Sequence, residues 1–221
     1  MKMKKLILVY GLFFFLIFHS QGFSFNSKTE FTLSGKTMGT FYTIKFLSDK
    51  TETLDSWQSR VDMCLKEINK TFSMFDPESR LSRFNREKIN TDMRVPSDFY
   101  LVLLTSQNLY HLTHGAWDGT VKPLVDLWGF GTKKSENKIP DPSEITLSLS
   151  KTGFHHIRLS ENHTISKDAD VTLDLSSIAK GYGVDAVAAL FLSSGIRDVL
   201  IEIGGEIYGA GKNKKGEPWA V

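Results

Sequence analysis

Apolar residues recur along the chain at two spacings. In "WQSRVDMCLKEINKTFSMF", Trp57, Val61, Cys64, Leu65, Ile68, Phe72 and Phe75 fall at helical spacing, which predicts a helix around residues 55–75 ending near the turn cluster "DPES". Phe99, Val102, Leu103, Leu109 and Tyr110 mark the buried side of a second helix over about 97–114, with Gly115 as its C-cap. A third helix is predicted over about 177–194. Ile178, Ala179, Val184, Val187 and Ala188 supply its apolar face, and Ser176 or Ser177 its N-cap. Alternation predicts strands at Phe41–Phe46, Val199–Ile203 and Ile207–Ala210, while Thr172, Leu173 and Leu175 read as a strand end.

The remaining segments are less regular. Residues 23–34 read as a polar lead-in, "RLSRFN" as a short polar-aromatic segment, and residues 132–143 as a surface loop. A short helix near 143–152 is followed by a hairpin-like pair, "HHIRLSENHTISK". The run "GAWDGTVKPLVDLWGFG", from Gly115 to Gly131, is too dense in glycine and aromatics to be regular throughout. Strand–helix–strand and hairpin signals mix, so the expected fold class is α+β.

The 221 residues suit one large domain or two small ones. Lys2, Lys4 and Lys5 precede the 13-residue apolar run Leu6–Phe18, and Ser20 and Gly22 follow at −3 and −1 of a small-residue exit. The run is short for a membrane span. Residues 1–22 are therefore expected to be a signal peptide, an uncleaved anchor being the alternative, with residues 23–221 the working domain. Removing residues 1–22 takes away three lysines and no acids, so the formal charge moves from +2 to −1. The basic balance belongs to the leader, and no basic patch with interleaved aromatics supports nucleic-acid binding. The lone Cys64 excludes an internal disulfide and reads as a small buried hydrophobe. The chain stops at "GEPWAV", an apolar run after a turn, which reads as a cut at the start of a strand. The domain is thus expected to be incomplete at its C-terminus.

Candidate chemistry concentrates in "TLDLSSIAKGYGVDAV". Asp174 precedes a helix start and Lys180 lies one turn inside it, where unpaired N–H groups attract anions. A carboxylate at an apolar strand end needs a partner. Lys180 is one, through a structural salt bridge. The other reading is that the helix start and Lys180 meet a phosphate or ring oxygen while Asp174 accepts from the ligand. Asp118 in "AWDGT" is either a turn residue capping its own backbone or a functional group. Trp117, Trp128 and Phe130 suit either a flat ring or a packed core. His111 and His114 lack a third metal ligand, and adjacent His155 and His156 are expected on opposite sides of a strand. "IGGEIYGAG" does not open a helix as a dinucleotide fingerprint would, and neither G-x-x-x-x-G-K-[ST] nor G-x-S-x-G occurs.

Together, "GKTMGTFYTIKF", "FSMFDPESRLSRFN", "GAWDGTVKPLVDLWGFG", "LDLSSIAKGYGVDAV" and "IEIGGEIYGAGKNKKGEPWAV" resemble, in order, the FAD:protein FMN transferases of the ApbE family, over roughly residues 33–221. The resemblance implies an ApbE-like mixed sheet and helix domain. It implies an exported, Mg²⁺-dependent enzyme that splits FAD, attaches FMN by a phosphoester to a threonine of an acceptor domain in a membrane redox complex, and releases AMP. FAD hydrolysis to FMN and AMP, or flavin binding without catalysis, are the alternatives. By motif position, Met38, Phe75, Ala116, Trp117, Asp118, Asp174 and Lys180 would contact FAD, and the Ser177 carbonyl would be a magnesium ligand. Phe75 stands where the family often has a larger or hydroxylated aromatic.

The resemblance also implies further magnesium ligands beyond Val221, so the chain as it stands is expected to bind flavin weakly or not at all and to be inactive. No catalytic residue is assigned within it. No lipid-anchoring cysteine follows the leader, which favours a soluble periplasmic protein or an N-terminally anchored one. No target-threonine motif occurs in the chain.

Overall fold

The computed structural model describes residues 28–49, 53–131 and 139–221. The expected leader over residues 1–22 lies outside them. Among the described residues, no helix is long and apolar enough to cross a membrane.

The chain opens with a hairpin, β1 (Thr29–Thr37) and β2 (Thr40–Ser48), joined through Met38 and Gly39. Both turn residues have positive φ, +49° and +72°, as a type I′ hairpin turn requires. β1 is a correction to the expected lead-in over 23–34. Phe31, Leu33, Gly35 and Thr37 share one face, but the third of these positions is a glycine for a packing reason. A Cβ at Gly35 would stand 2.7 Å from the ring of Tyr42, its cross-strand partner.

Helix α1 (Leu54–Phe72) follows, capped by Thr53, whose hydroxyl accepts from the Ser56 N–H. Helix α2 (Arg80–Arg86) forms in the segment read as short and polar-aromatic, with Ser79 as its N-cap and Leu81 and Phe84 buried. Strand β3 (Met93–Arg94) and helix α3 (Ser97–Leu112) lead into the glycine-rich region, where a short α4 (Lys122–Leu127) forms. Beyond α3, Gly115 at φ +80° returns its N–H to the Tyr110 carbonyl. Helix α5 (Pro142–Leu149) precedes a 3₁₀ turn (Phe154–His156) and the hairpin β4 (Ile157–Ser160) and β5 (Thr164–Lys167). Helix α6 (Ser176–Ser193) leads to β6 (Val199–Ile203) and β7 (Glu206–Ala210).

Four strands form an antiparallel sheet in the order β1-β2-β6-β7, and three form a second in the order β3-β5-β4. The inward faces of β2 (Tyr42, Ile44, Phe46) and β6 (Val199, Ile201, Ile203) are buried with Trp57, Val61 and Leu65 of α1 and Val184, Val187 and Phe191 of α6. The Trp57 and Phe191 rings stack at 4.6 Å, nearly parallel, and Phe46 sits 4.9 Å from Phe191. Each such aromatic contributes about 1.5–3 kcal/mol by leaving water. This packing presses α1 and α6 onto one face of the sheet, so that the end of α1, the start of α6 and the β1–β2 turn converge. Cys64 is half-buried against the same core, and burial raises its thiol pKa.

His155 and His156 do not alternate across a strand as expected. They lie in the 3₁₀ turn with ring centres 4.1 Å apart, His155 facing the Tyr110 hydroxyl and His156 the Asp168 carboxylate.

Candidate functional site

Where α1, α6 and the β1–β2 turn converge lies a cavity of about 340 Å³. Three walls surround it. Met38 and Gly39 come from the hairpin turn. Asn69, Phe72, Ser73, Met74 and Phe75 come from the end of α1 and the turn after it. Asp174, Ser176, Ala179 and Lys180 come from the start of α6. The structure therefore brings together four of the residues singled out in the sequence: Met38, Phe75, Asp174 and Lys180.

Each wall has a local cause. Met38 occupies the left-handed region, uncommon for a residue with a side chain, because the hairpin twist demands positive φ there. Its sulfur lies 3.5 Å from where a Cβ on Gly183 would be, so the thioether is seated against α6 at that glycine. Phe75 is 71% exposed at the rim. It is set there by Ser73, whose hydroxyl accepts from the Phe75 and Asp76 N–H groups and turns the chain out of α1.

Asp174 is only 5% exposed. Its N–H donates to the Gly119 carbonyl at 2.8 Å, and its Oδ1 accepts from the Ser176 N–H at 2.9 Å. The carboxylate thus takes over one unpaired donor of the helix start. This corrects the expected serine cap, because Leu175 is the N-cap residue and makes no side-chain cap bond. The strand end expected at 172–175 is reduced to a single parallel bridge between Val121 and Thr172. Lys180 does not pair with Asp174. Its Nζ reaches the Gly204 carbonyl at 3.4 Å, and no carboxylate among the described residues forms an ion pair with it. A structural Asp174–Lys180 salt bridge is therefore not formed.

Ala116, Trp117 and Asp118 do not line this cavity. Asp118 caps its own turn. Oδ1 accepts from the Thr120 N–H at 2.8 Å and the Thr120 hydroxyl at 2.6 Å, and Oδ2 from the Phe154 N–H at 3.2 Å. The Thr120 hydroxyl in turn accepts from the Gly153 N–H at 2.6 Å, latching the turn to the 3₁₀ segment. The turn still bears on the cavity, because the next residue, Gly119, holds the Asp174 N–H. Trp117 packs at a tilt on Phe154, while Trp128 and Phe130 are 46% and 81% exposed, so the three do not form a packed core.

Asn69 is a lining residue that the sequence did not single out, and Ser176, read there only as a helix cap, is another. Asn69 donates to the Thr37 hydroxyl at 3.0 Å and the Leu65 carbonyl at 2.9 Å, tying α1 to the hairpin turn. Its place four residues before Ser73, on one helix face, was the available signal.

Ser177 is not among the residues lining the cavity and lines a separate groove between α3 and α6 with Leu101, Ile178, Tyr182 and Asp185. Magnesium takes six oxygen donors in near-octahedral array. Among the described residues no three His, Cys, Asp or Glu side chains group together. Asp174 and Ser177 alone do not make a magnesium site.

The family model described as the ApbE family matches residues 38–221. A FAD:protein FMN transferase of Haemophilus influenzae is 41% identical over 197 residues, covering 86% of this chain and 57% of its own length. The one from Vibrio cholerae is 40% identical over 194 residues, with the same coverage. The solved structure of the flavin transferase ApbE from Vibrio cholerae aligns with a TM-score of 0.85 at 38% identity, over 88% of this chain and 63% of that one. That of the Pseudomonas stutzeri flavinyl transferase ApbE, in its apo form, gives a TM-score of 0.82 at 28% identity, over 88% and 65%. The expected α+β class is thus the fold of these structures. The chain spans little more than half the length of the curated relatives it matches.

Proposed function

This chain belongs to the ApbE family, and from that premise we propose that it works as an FAD:protein FMN transferase. In this reading the hydroxyl of an acceptor threonine bonds to the phosphorus of the FMN half, the bridging P–O bond breaks, AMP leaves with the electron pair, and the hydroxyl proton is released. The observation that carries the reading is the cavity that buried Asp174 lines together with Lys180, which is in no ion pair among the described residues, beside Met38 and Phe75. A flat heterocycle fits between a thioether and an aromatic ring. Lys180 offers an ammonium that no carboxylate among the described residues pairs with, suited to a diphosphate oxygen. Asp174, with one oxygen committed to Ser176, accepts from a ligand N–H or O–H. Phosphoryl transfer depends on holding the reacting atoms in line and neutralising charge on the transferred group, and these residues supply orientation and part of that charge.

The relatives' names support FAD as the substrate. The Mg²⁺ requirement, the threonine acceptor in a membrane redox protein, and action outside the cytoplasm belong to the same proposal. The last rests on residues 1–22.

The test uses the protein translated from its complete reading frame, mixed with FAD, Mg²⁺ and a threonine-bearing acceptor domain. AMP release matched by an FMN mass increment on the acceptor supports the reading. AMP release at the same rate without acceptor replaces it with FAD hydrolysis, and FAD binding with no AMP in any mixture replaces it with flavin binding alone. Loss of turnover with EDTA, restored by magnesium, tests the metal requirement.

A further inference from the structure

We propose that Asn85 is a positioning residue for Asp174, holding it through the backbone of Leu173 at the end of a strut formed by α2. The proposal rests on the transferase reading for what Asp174 does, but its geometry stands apart from it. The Asn85 amide makes two hydrogen bonds to one residue: Nδ2 donates to the Leu173 carbonyl at 2.9 Å, and the Leu173 N–H donates to Oδ1 at 2.8 Å. That is the pairing a neighbouring strand would provide. On its other side, the same segment is held by the Val121–Thr172 bridge and by the Gly119 carbonyl on Asp174 N–H. Residues 172–174 are thus held from both sides, and one of the two holds is a single side chain.

The strut is anchored at both ends. At its start, the Ser79 hydroxyl donates to the Ser73 carbonyl at 2.5 Å and Ser82 reaches the same oxygen at 3.3 Å, fixing α2 to the wall that carries Phe75. At its end, the Lys167 ammonium donates to the Asn85 carbonyl at 3.0 Å and the Val171 carbonyl at 3.2 Å, over the Phe84 ring. Lys167 is 2% exposed and is in no ion pair among the described residues. A buried ammonium satisfied by backbone carbonyls is costly to keep. Its work here is to pin the two chain segments that meet at Leu173. Helix α2 puts no side chain into the cavity, yet it ties the Phe75 wall to the Asp174 wall, so the spacing across the site depends on it.

The experiment is a double-mutant cycle in the full protein: Asn85→Ala, Asp174→Asn and the pair, each measured for FAD affinity by flavin fluorescence and for amide hydrogen exchange at residues 171–176. Asn85→Ala should weaken FAD binding about tenfold in the wild type, the effect of losing a buried hydrogen-bonded pair, and less than about twofold once Asp174 is Asn. Exchange at Leu173 and Ser176 should quicken while the slowest core amides are unchanged. A generally damaged fold would weaken both backgrounds equally, and equal factors overturn the proposal. Should Asn85→Ala fail to fold, Asn85→Asp carries the same cycle, keeping the acceptor for Leu173 N–H while losing the donor. If the wild type binds no FAD, the functional reading fails. The exchange result then judges the strut alone, and unchanged protection at Leu173 and Ser176 rejects it.

Discussion

Asp174 and Lys180 line one cavity without touching each other. The carboxylate binds the first N–H of α6, and the ammonium reaches across to the Gly204 carbonyl. A pair that merely stabilised the fold would close on itself, because a buried carboxylate and a nearby ammonium gain most by direct contact. Their separation leaves an acceptor and a cation aimed at a shared space. The fold maintains it from outside: Gly119 and Asn85 fix the strand that carries Asp174, and the β6–β7 turn receives Lys180.

Asp174→Asn is expected to separate catalysis from folding. Asparagine keeps an oxygen for the Ser176 N–H, so helix α6 starts as before and the melting temperature stays within a few degrees of wild type. FMN transfer should fall by about two orders of magnitude or more, the scale seen when one preorganised electrostatic group is lost from a phosphoryl or acyl site. Transfer assays beside thermal melts decide it. Wild-type turnover in this variant removes Asp174 from the site.

Lys180→Met keeps most of the stem's packing and deletes the charge. If the ammonium meets the diphosphate, FAD affinity should drop about 10- to 100-fold, as for a charge-assisted hydrogen bond. Riboflavin, which has no phosphate, should bind the variant and the wild type alike. Titrations of both ligands by flavin fluorescence provide the comparison. An equal loss for riboflavin would mean that Lys180 shapes the pocket and does not read phosphate.

Much of the fold was legible because its periodicities are local. Trp57, Val61, Leu65, Ile68 and Phe72 announce α1, and the alternation at 199–203 gives β6 with its observed bounds. Strand β1 was hidden because Gly35 surrenders a core position to the Tyr42 ring, a fact that belongs to the partner strand. The start of α6 was misread for a similar reason. Two serines at a helix start suggest a hydroxyl cap, but Asp174, held by Gly119 from 55 residues away in sequence, reaches the N–H instead. The motifs pointed to Met38, Phe75, Asp174 and Lys180. They did not single out Asn69, nor Asn85 although it closes the quoted "FSMFDPESRLSRFN", because their polar side chains acquire meaning only when distant segments meet them. Asp118 was evenly divided between a cap and a functional contact; its carboxylate takes two hydrogen bonds inside the turn, from Thr120, and a third from the Phe154 N–H.

Gly183 offers a test of how closely Met38 is seated. A Cβ there meets the Met38 sulfur at 3.5 Å, an ordinary contact, so Gly183→Ala fits. Because alanine restricts the unfolded chain and favours helix, this change should stabilise the protein by about 0.5–1 kcal/mol, read as a higher urea midpoint. Gly183→Leu fills the space that Met38 uses. It should push the thioether toward the cavity and weaken FAD binding several-fold, whereas Gly183→Ala leaves affinity unchanged.

Alkaline stability should report on Tyr42. Its ring is buried and its hydroxyl donates to Asp62 Oδ1 at 2.6 Å. Burial, reinforced by that hydrogen bond and the carboxylate's charge, pushes the phenol up from 10.0 to about 12, with the Gln58 amide pulling the other way. Between these values the unfolded chain releases the phenolic proton while the folded chain keeps it. The folded state then binds more protons, so stability falls as pH rises. The contribution is therefore fully present below pH 10 and is lost as pH climbs through about 12. Tyr42→Phe removes the titrating group. It should lower stability at pH 8 by about 1 kcal/mol through the lost hydrogen bond, yet flatten the decline above pH 10. Urea midpoints from pH 8 to 11.5, with phenolate absorbance followed in parallel, give both quantities. If wild type and variant decline with the same slope, the Tyr42–Asp62 contact is not what holds the proton.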